Sequence, residues 1–216
     1  MKWWRVALAT MALVLASPIA APQLLAFPYS GQIGAHPVYS EAPITQELQR
    51  IVATADALAA KSPIAVRPAD TPIFLTDGGW RWTWLTLTSR GAFAITRPLT
   101  ENIVVNRSDA ASDMVVNGAK TGGRRSLSGT IAHEMTHEAI RRHFGLLADF
   151  KYPEWLREGY CDFVAGGGSL SDEDARQLIA AGSKHPALDY WRGRKRVAAI
   201  LQRNGGSVDA LFAKGA

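Results

Sequence analysis

The pattern of hydrophobic and polar positions divides the chain into an apolar first segment, a strand-rich middle and a helical second half. Between residues 45 and 61, apolar side chains recur at intervals of three or four, which predicts an amphipathic helix. Thr45 is a suitable residue to cap its amino terminus. Four stretches rich in β-branched and aromatic residues follow, and they predict strands at 72–77, 81–89, 91–96 and 102–106.

The second half of the chain returns to helical spacing. Residues 107–123 are polar and rich in glycine, which predicts a loop between the last strand and the first of these helices. Periodic apolar positions then predict helices at about 127–144, 153–164, 171–181, 189–203 and 208–213. A helix, a small sheet and then several helices together predict an α+β fold.

The apolar first segment predicts export. Residues 6–27 carry no charged side chain and follow the basic residues Lys2 and Arg5. Such a start is typical of a secretory signal peptide, and the uncharged run is also long enough to span a bilayer. Because positive charge stays on the inner side of a membrane, either role would place the rest of the chain on the periplasmic or extracellular side.

Poor cleavage sites favour an anchor over a cleaved signal. Pro22 directly follows Ala21, and the bulky Leu24 occupies the third position back from a cut after Ala26. Signal peptidases prefer small residues at the last and third-last positions before the cut. We therefore expect this segment to be retained in the inner membrane.

Composition also predicts the domain organisation. Residues 1–27 form the signal or anchor, and residues 28–44, rich in Pro, Gly, Ser and Tyr, predict a linker or extended arm. The remaining residues, 45–216, are enough for one domain with a substantial core.

Charge and cysteine content narrow the function classes. The net charge is +5 and the isoelectric point about 9.6, but the basic residues are scattered and lack the interleaved aromatics of a single-strand binder. We therefore expect no nucleic-acid partner. Cys161 is the only cysteine, so no internal disulfide can form. We expect its side chain to be a small buried packing group on a helix.

The segment TIAHEMTHEAI, residues 130–140, carries the strongest sign of chemistry. His133 and His137 lie four residues apart, so both can present a ring nitrogen to one metal ion from the same helix face. Glu134 lies beside that face and can take a proton from a water at the metal. The alternative is a structural histidine pair on a solvated helix, but the neighbouring apolar residues indicate a buried helix.

A catalytic zinc site needs a third protein ligand, and three residues are candidates. His143 follows His137 at the spacing of the metzincin family, but Ile140 stands where that family has a glycine. The helix should therefore continue and turn His143 roughly 240° away from His137. Glu154 directly follows Pro153 in the first turn of the next helix. An acidic side chain there stabilises the positive end of the helix, which accounts for Glu154 without a metal. The third candidate is Glu158.

The segment WLREG, residues 155–159, resembles the gluzincins, whose second helix carries a glutamate ligand in a Trp-Leu-x-Glu-Gly-like motif. The resemblance spans about residues 73–213 and implies a minimal zincin domain in which Zn²⁺ is held by His133, His137 and Glu158. It also implies that Asp162 orients a zinc-bound histidine. A solvated helix position is the alternative for Asp162.

The same resemblance implies a zinc metallopeptidase that hydrolyses a peptide or protein substrate with Glu134 as general base. Tyr190 to Gly193 matches a Tyr-x-x-Gly-like segment, which implies that Tyr190 stabilises the developing oxyanion. Packing beside Trp191 is the alternative for Tyr190, and His185 is the second candidate for its role. No segment resembles the amino-group site of the aminopeptidase-like branch, so we expect an endopeptidase.

Two other functions remain open at this point. One is a weakly active or inactive zincin-fold module that binds a peptide or protein partner. The other is a basic protein, associated with a membrane or a nucleic acid, whose zinc is structural. A structural zinc site normally has four protein ligands, and the sequence indicates no fourth ligand.

Overall fold

The sheet and its two helical layers are seen in a computed structural model that describes residues 3–65 and 70–215. The helices are α1 (Trp3–Ala20), α2 (Gln46–Ala59), α3 (Trp80–Thr86), α4 (Leu127–Phe144), α5 (Ala148–Lys151), α6 (Glu154–Val164), α7 (Asp172–Ala180), α8 (Ala187–Arg203) and α9 (Val208–Gly215). The strands are β1 (Tyr29–Ile33), β2 (His36–Ser40), β3 (Ile73–Thr76), β4 (Ala94–Thr96), β5 (Ile103–Asp109), β6 (Met114–Val116) and β7 (Arg124–Ser126). The expected combination of helices with a small mixed sheet is confirmed. The basic Lys2 lies outside the described residues.

The sheet is mixed, with the order β1-β2-β3-β5-β6-β7. β3 runs parallel to both β2 and β5, and the other pairs are antiparallel. β4 pairs with Ile103–Val105 of β5, while β6 pairs with the end of the same strand. β4 therefore occupies an edge, and no described strand pairs with its outer side.

Alternating side chains bury both faces of the central strands. In β5, Ile103 and Val105 point into a core shared with α2 and α4, whereas Val104 points to the opposite face. That opposite face is covered by α3 and by Leu25 and Phe27. A further core joins α4 to α6, α8 and α9. The helix α4 thus contacts both the sheet and the helical half, and residues on its surface lie where the two meet.

Two predictions of chain conformation were wrong. Residues 81–89 alternate aromatic and polar side chains, which predicted a strand, but they lie largely in α3. Trp82, Leu85 and Thr86 are buried there at helical spacing, so packing against the sheet outweighed the alternation. Residues 28–44, predicted as a linker or extended arm, contain the β1–β2 hairpin, and β2 is anchored by its parallel pairing with β3.

The predicted loop at 107–123 was also partly wrong. It contains the end of β5 and the whole of β6, joined by a turn in which Asp109 accepts a hydrogen bond from the Ala111 amide at 2.9 Å. The apolar run of β6, Met114–Val116, is only three residues long, so the polar residues and glycines around it hid the strand. The predicted helices of the second half and the Thr45 cap of α2 are confirmed.

The helix α1 extends away from the domain. Residues 3–16 are exposed, and Pro18 is its buried residue. By length and composition alone α1 can cross a membrane, a test that a signal sequence also passes.

Candidate metal centre

The first two candidate ligands are positioned by α4. Ser126 caps this helix by accepting a hydrogen bond from the Gly129 amide at 3.1 Å. Most of α4 is buried, as the apolar residues around the histidines predicted. His133 and Glu134 are buried and His137 is half-buried, so the motif lies at the floor of a cleft.

The third candidate, Glu158, is brought to the histidines by α6. Its Oε2 lies 3.3 Å from Nε2 of His133, and its Oε1 lies 3.5 Å from Nε2 of His137. His143 points elsewhere, since its Nε2 lies 2.7 Å from the Asp209 carboxylate. The structure therefore brings His133, His137 and Glu158 together and leaves His143 apart.

Asp162 fixes the orientation of the His133 ring. Its Oδ1 lies 2.8 Å from Nδ1 of His133, so Nε2 faces Glu158. The alternative of a solvated position is wrong, because Asp162 is fully buried. Arg125 donates a hydrogen bond to the same Oδ1 at 2.7 Å and balances the buried charge.

The electrostatics of the cluster follow from these pairs. Burial lowers the pKa of His133, but hydrogen bonds to Asp162 and Glu158 outweigh it and raise that pKa to about 9. Burial opposes ionisation of Glu158, yet the charge of His137 and the bond to His133 hold its pKa well below its usual range. The pKa of Asp162 is lowered too, against its burial, chiefly by the charge of Arg125. Without a metal, the carboxylates of Asp162 and Glu158 therefore favour the protonated form of the His133 imidazole.

The distances suit a tetrahedral ion. Ligand atoms at about 2.1 Å from a tetrahedral zinc lie about 3.4 Å from one another. The separations of Glu158 from His133 and His137, 3.3 and 3.5 Å, match that value. Two imidazoles and a carboxylate are also a donor set that zinc accepts.

A second set of three side chains that could hold a metal includes Cys161. Ligand atoms of His133, His137 and Cys161 lie within 4.8 Å of one another. Cys161 follows Glu158 by about one helical turn and is fully buried, as expected for a packing residue. Burial raises the pKa of its thiol well above the usual value. Glu158 is the better candidate, because it lines the cleft and its lowered pKa favours the ionised form that binds a metal. Cys161 would first have to lose its proton among apolar side chains.

Glu134 faces the same cleft from α4. Its Oε2 accepts a hydrogen bond from the Thr96 hydroxyl at 2.5 Å, which links it to the edge strand β4. Nothing in the sequence pointed to this role for Thr96, because a threonine at the end of a strand is common.

Tyr190 reaches the cleft through close packing of two helices. A methyl group on Gly159 of α6 would lie 2.5 Å from the carbonyl carbon of Gly193 in α8. The two glycines that define the WLREG and YWRG segments therefore face each other. Because α8 lies so close to α6, Tyr190 lines the same cleft as Glu158.

The Tyr190 hydroxyl donates a hydrogen bond to Oε1 of Glu154 at 3.1 Å. Burial and the neighbouring carboxylates of Glu158 and Glu154 raise the pKa of this phenol, which keeps it a donor. His185 lines the cleft too. Its Nδ1, however, accepts a hydrogen bond from the amide of Ala187, the first residue of α8, at 3.2 Å.

The cleft has a volume of about 580 Å³ and contains every predicted site residue. Arg157 also lines it, with its NH1 3.7 Å from Oε1 of Glu158. Arg125 and Arg157 were missed as site residues, because single arginines beside a motif carry no spacing signal.

Comparison of this chain with models of protein families, with curated proteins and with solved structures gave no match.

Proposed function

We propose that the protein is a zinc-dependent peptidase of the gluzincin type. The observation that carries this proposal is the position of the Glu158 carboxylate between Nε2 of His133 and Nε2 of His137, with Glu134 beside them. His133, His137 and Glu158 would hold the ion, and Asp162 would keep Nε2 of His133 directed at it. A bound Zn²⁺ would polarise the carbonyl of the substrate and lower the pKa of a water molecule.

Glu134 would act as the general base. It would accept a proton from the attacking water and pass it to the leaving amine. The Thr96 hydroxyl would hold the carboxylate in position through its hydrogen bond to Oε2. Tyr190 would release Glu154 and donate its hydroxyl to the carbonyl oxygen, where negative charge develops.

The edge strand β4 supports a peptide as substrate. Residues 91–96 line the cleft, and among the described residues nothing pairs with the outer side of β4. An extended peptide can add to such an edge through main-chain hydrogen bonds. Its scissile bond would then lie next to Glu134, because Thr96 at the end of β4 contacts that residue.

The test is a comparison of wild type with Glu134→Gln on a mixed peptide library, read by mass spectrometry. An amide cannot accept the proton, so the variant should keep its zinc and its melting temperature but lose nearly all hydrolysis. A fully active variant would remove Glu134 from the mechanism.

A second function, a module that binds a peptide or protein partner without cleaving it, is favoured by the position of Cys161. If its thiolate joined His133, His137 and Glu158, four protein ligands would close the site, as in structural zinc centres. A wild-type protein that contains zinc, cleaves no peptide and gains activity in Cys161→Ser would support this function over the first.

A further inference from the structure

The chain that follows α1 is folded into the domain. The guanidinium of Arg97 donates to the carbonyl of Ile19, and the Asn102 amide donates to that of Ala20 at 3.2 Å. Arg81 donates to the carbonyls of Leu25 and Ala26 at 3.0 and 2.9 Å. A cut after Ala21 would remove the contacts of Ile19 and Ala20, and a cut after Ala26 would remove all four.

The side chains of this segment are also part of the core. Leu25 and Phe27 pack against Phe74 on the outer face of the sheet, with ring centroids of the two phenylalanines 5.5 Å apart. A signal peptide that is removed does not contribute to the core of the mature domain. A cut after Ala26 would remove Leu25 from this core, whereas Phe27 would remain, so the packing of Leu25 argues against a cut there. The hydrogen bonds to Ile19 and Ala20 argue against a cut after Ala21.

The rest of α1 has no partner within the described residues. Its first fourteen residues, 3–16, are exposed although most are apolar. These exposed residues give a length of about 21 Å, which is shorter than the roughly 30 Å hydrocarbon core of a bilayer. Because the last turn of α1 is bonded to Arg97 and Asn102, a bilayer that contains the exposed part of α1 would extend to the surface of the domain.

Exposed leucines stand close in sequence to residues that contact the base of α1. Arg97 joins this base to α3, because its second amino group donates to the carbonyl of Leu85. Leu87 follows two residues later and is exposed, and Leu99 lies two residues after Arg97 with 88% of its surface exposed. Leu24, in the turn directly after α1, is exposed as well.

A second exposed apolar loop is tied to the first by one arginine. Arg141 pairs with Glu101, two residues after Leu99, and with Asp149 at 3.3 Å. Phe150, directly after Asp149, is 86% exposed. We call these exposed side chains together the apolar rim, and they are Leu24, Leu87, Leu99, Leu146, Leu147 and Phe150.

We propose that the apolar rim lies in the interface of the bilayer into which α1 inserts. The rim is made of single leucines and a phenylalanine on separate loops rather than one groove, which suits a fluid apolar phase better than a protein partner. Basic side chains accompany it, with Lys151 next to Phe150 and Arg90 three residues after Leu87. Such residues favour anionic lipid headgroups.

The rim also borders the cleft. Thr96 and Asp149 both line the cleft, and they stand directly before Arg97 and Phe150. The cleft would therefore open between two loops in contact with the membrane surface. This contact does not depend on the proposed peptidase activity.

The test places an environment-sensitive nitrobenzoxadiazole label on the full chain in vesicles of phosphatidylcholine and phosphatidylglycerol. Three variants carry the label on the rim, at Leu87→Cys, Leu99→Cys and Phe150→Cys. The control is Ile179→Cys on α7, which is 43% exposed and outside the rim. Native Cys161 is fully buried and should not react, which labelling of wild type checks.

The expected result is that all variants float with the vesicles, and that the three rim labels shift to the blue and are quenched by a spin-labelled lipid. The label at Ile179 should report water and escape quenching. Failure to float would overturn the insertion of α1 into the bilayer. Rim labels that report water in floating protein, or an Ile179 label quenched as strongly as the rim, would overturn the membrane contact.

Discussion

Gly159 and Gly193 touch where α6 crosses α8. A methyl group on Gly159 would lie 2.5 Å from the carbonyl carbon of Gly193, and one on Gly193 would lie 2.6 Å from the carbonyl oxygen of Trp155. Backbone atoms cannot move aside as a flexible side chain can, so the helices must separate if either glycine gains a side chain. The crossing holds both Glu158 and Tyr190 at the cleft.

The first prediction is that Gly193→Ala destabilises the protein and loosens the metal centre. Overpacking typically reduces the free energy of unfolding by about 1–3 kcal/mol, and this backbone clash should reach the upper end. Thermal and urea denaturation measure the loss. Gly91→Ala is the control, since no atom lies within 4 Å of the added methyl group. Equal stability of the two variants would show that the helices are not in such close contact.

The second prediction concerns the ligands. The purified protein should bind one Zn²⁺, and His133→Ala or His137→Ala should abolish binding. Glu158→Ala should weaken it severely, whereas His143→Ala should leave it nearly intact, because His143 pairs with Asp209. Equilibrium dialysis with metal analysis measures this. Cys161→Ser decides between the two candidate sets, and zinc lost in that variant but kept in Glu158→Ala would contradict Glu158 as ligand.

The third prediction is that Asp162→Asn lowers zinc affinity on the order of 10- to 100-fold, the usual effect of losing a residue that orients a ligand. A competition assay with a chelating dye gives the dissociation constant. Asp189→Asn, on the exposed start of α8, is the matched control. An unchanged constant in Asp162→Asn would mean that His133 is held without it.

The fourth prediction concerns Tyr190. Tyr190→Phe removes the hydroxyl that contacts Glu154 and should lower turnover, with little change in zinc content or melting temperature. Steady-state kinetics on a cleaved peptide separate kcat from KM. Equal losses of stability and activity would indicate packing. A loss of turnover in His185→Ala alone would assign the donor role to His185.

The fifth prediction is a pH dependence of zinc binding. In the metal-free protein His133 has a pKa of about 9, and an imidazolium cannot bind a metal. Zinc must therefore displace a proton below about pH 9, so affinity should rise as pH increases from 6.5, by up to about tenfold per unit. Calorimetry in buffers of different ionisation enthalpy counts the released proton. Affinity that is flat over this range would contradict a protonated His133.

The sequence predicted the cluster better than it predicted the sheet. His133, Glu134, His137, Glu158 and Asp162 lie on two helices, where a fixed rotation per residue relates spacing to direction. β2 is held in the sheet by β3, about 35 residues further along the chain, and residues 28–44 carry no sign of that partner, so they predicted a linker or extended arm. Thr96 and Arg125 were missed for the same reason, since their roles come from contacts across the fold.

The α3 segment was predicted wrongly for a different reason. An alternating pattern of aromatic and polar residues fits a half-buried strand, but it also places Trp82, Leu85 and Thr86 on one side of a helix. Which of the two forms depends on the surface against which it packs, and the local sequence does not contain that information.

The adjacency of Thr96 and Arg97 has a consequence for where the protein can work. Thr96 contacts Glu134, and Arg97, the next residue, contacts the last turn of α1. Neighbouring Cα atoms are about 3.8 Å apart, so the residue that contacts Glu134 and the residue that contacts the end of α1 lie side by side. A copy held by α1 in a membrane would reach only bonds at one short height above that membrane. Its selectivity would then depend on how far a bond lies from the lipid surface, as well as on the side chains beside that bond.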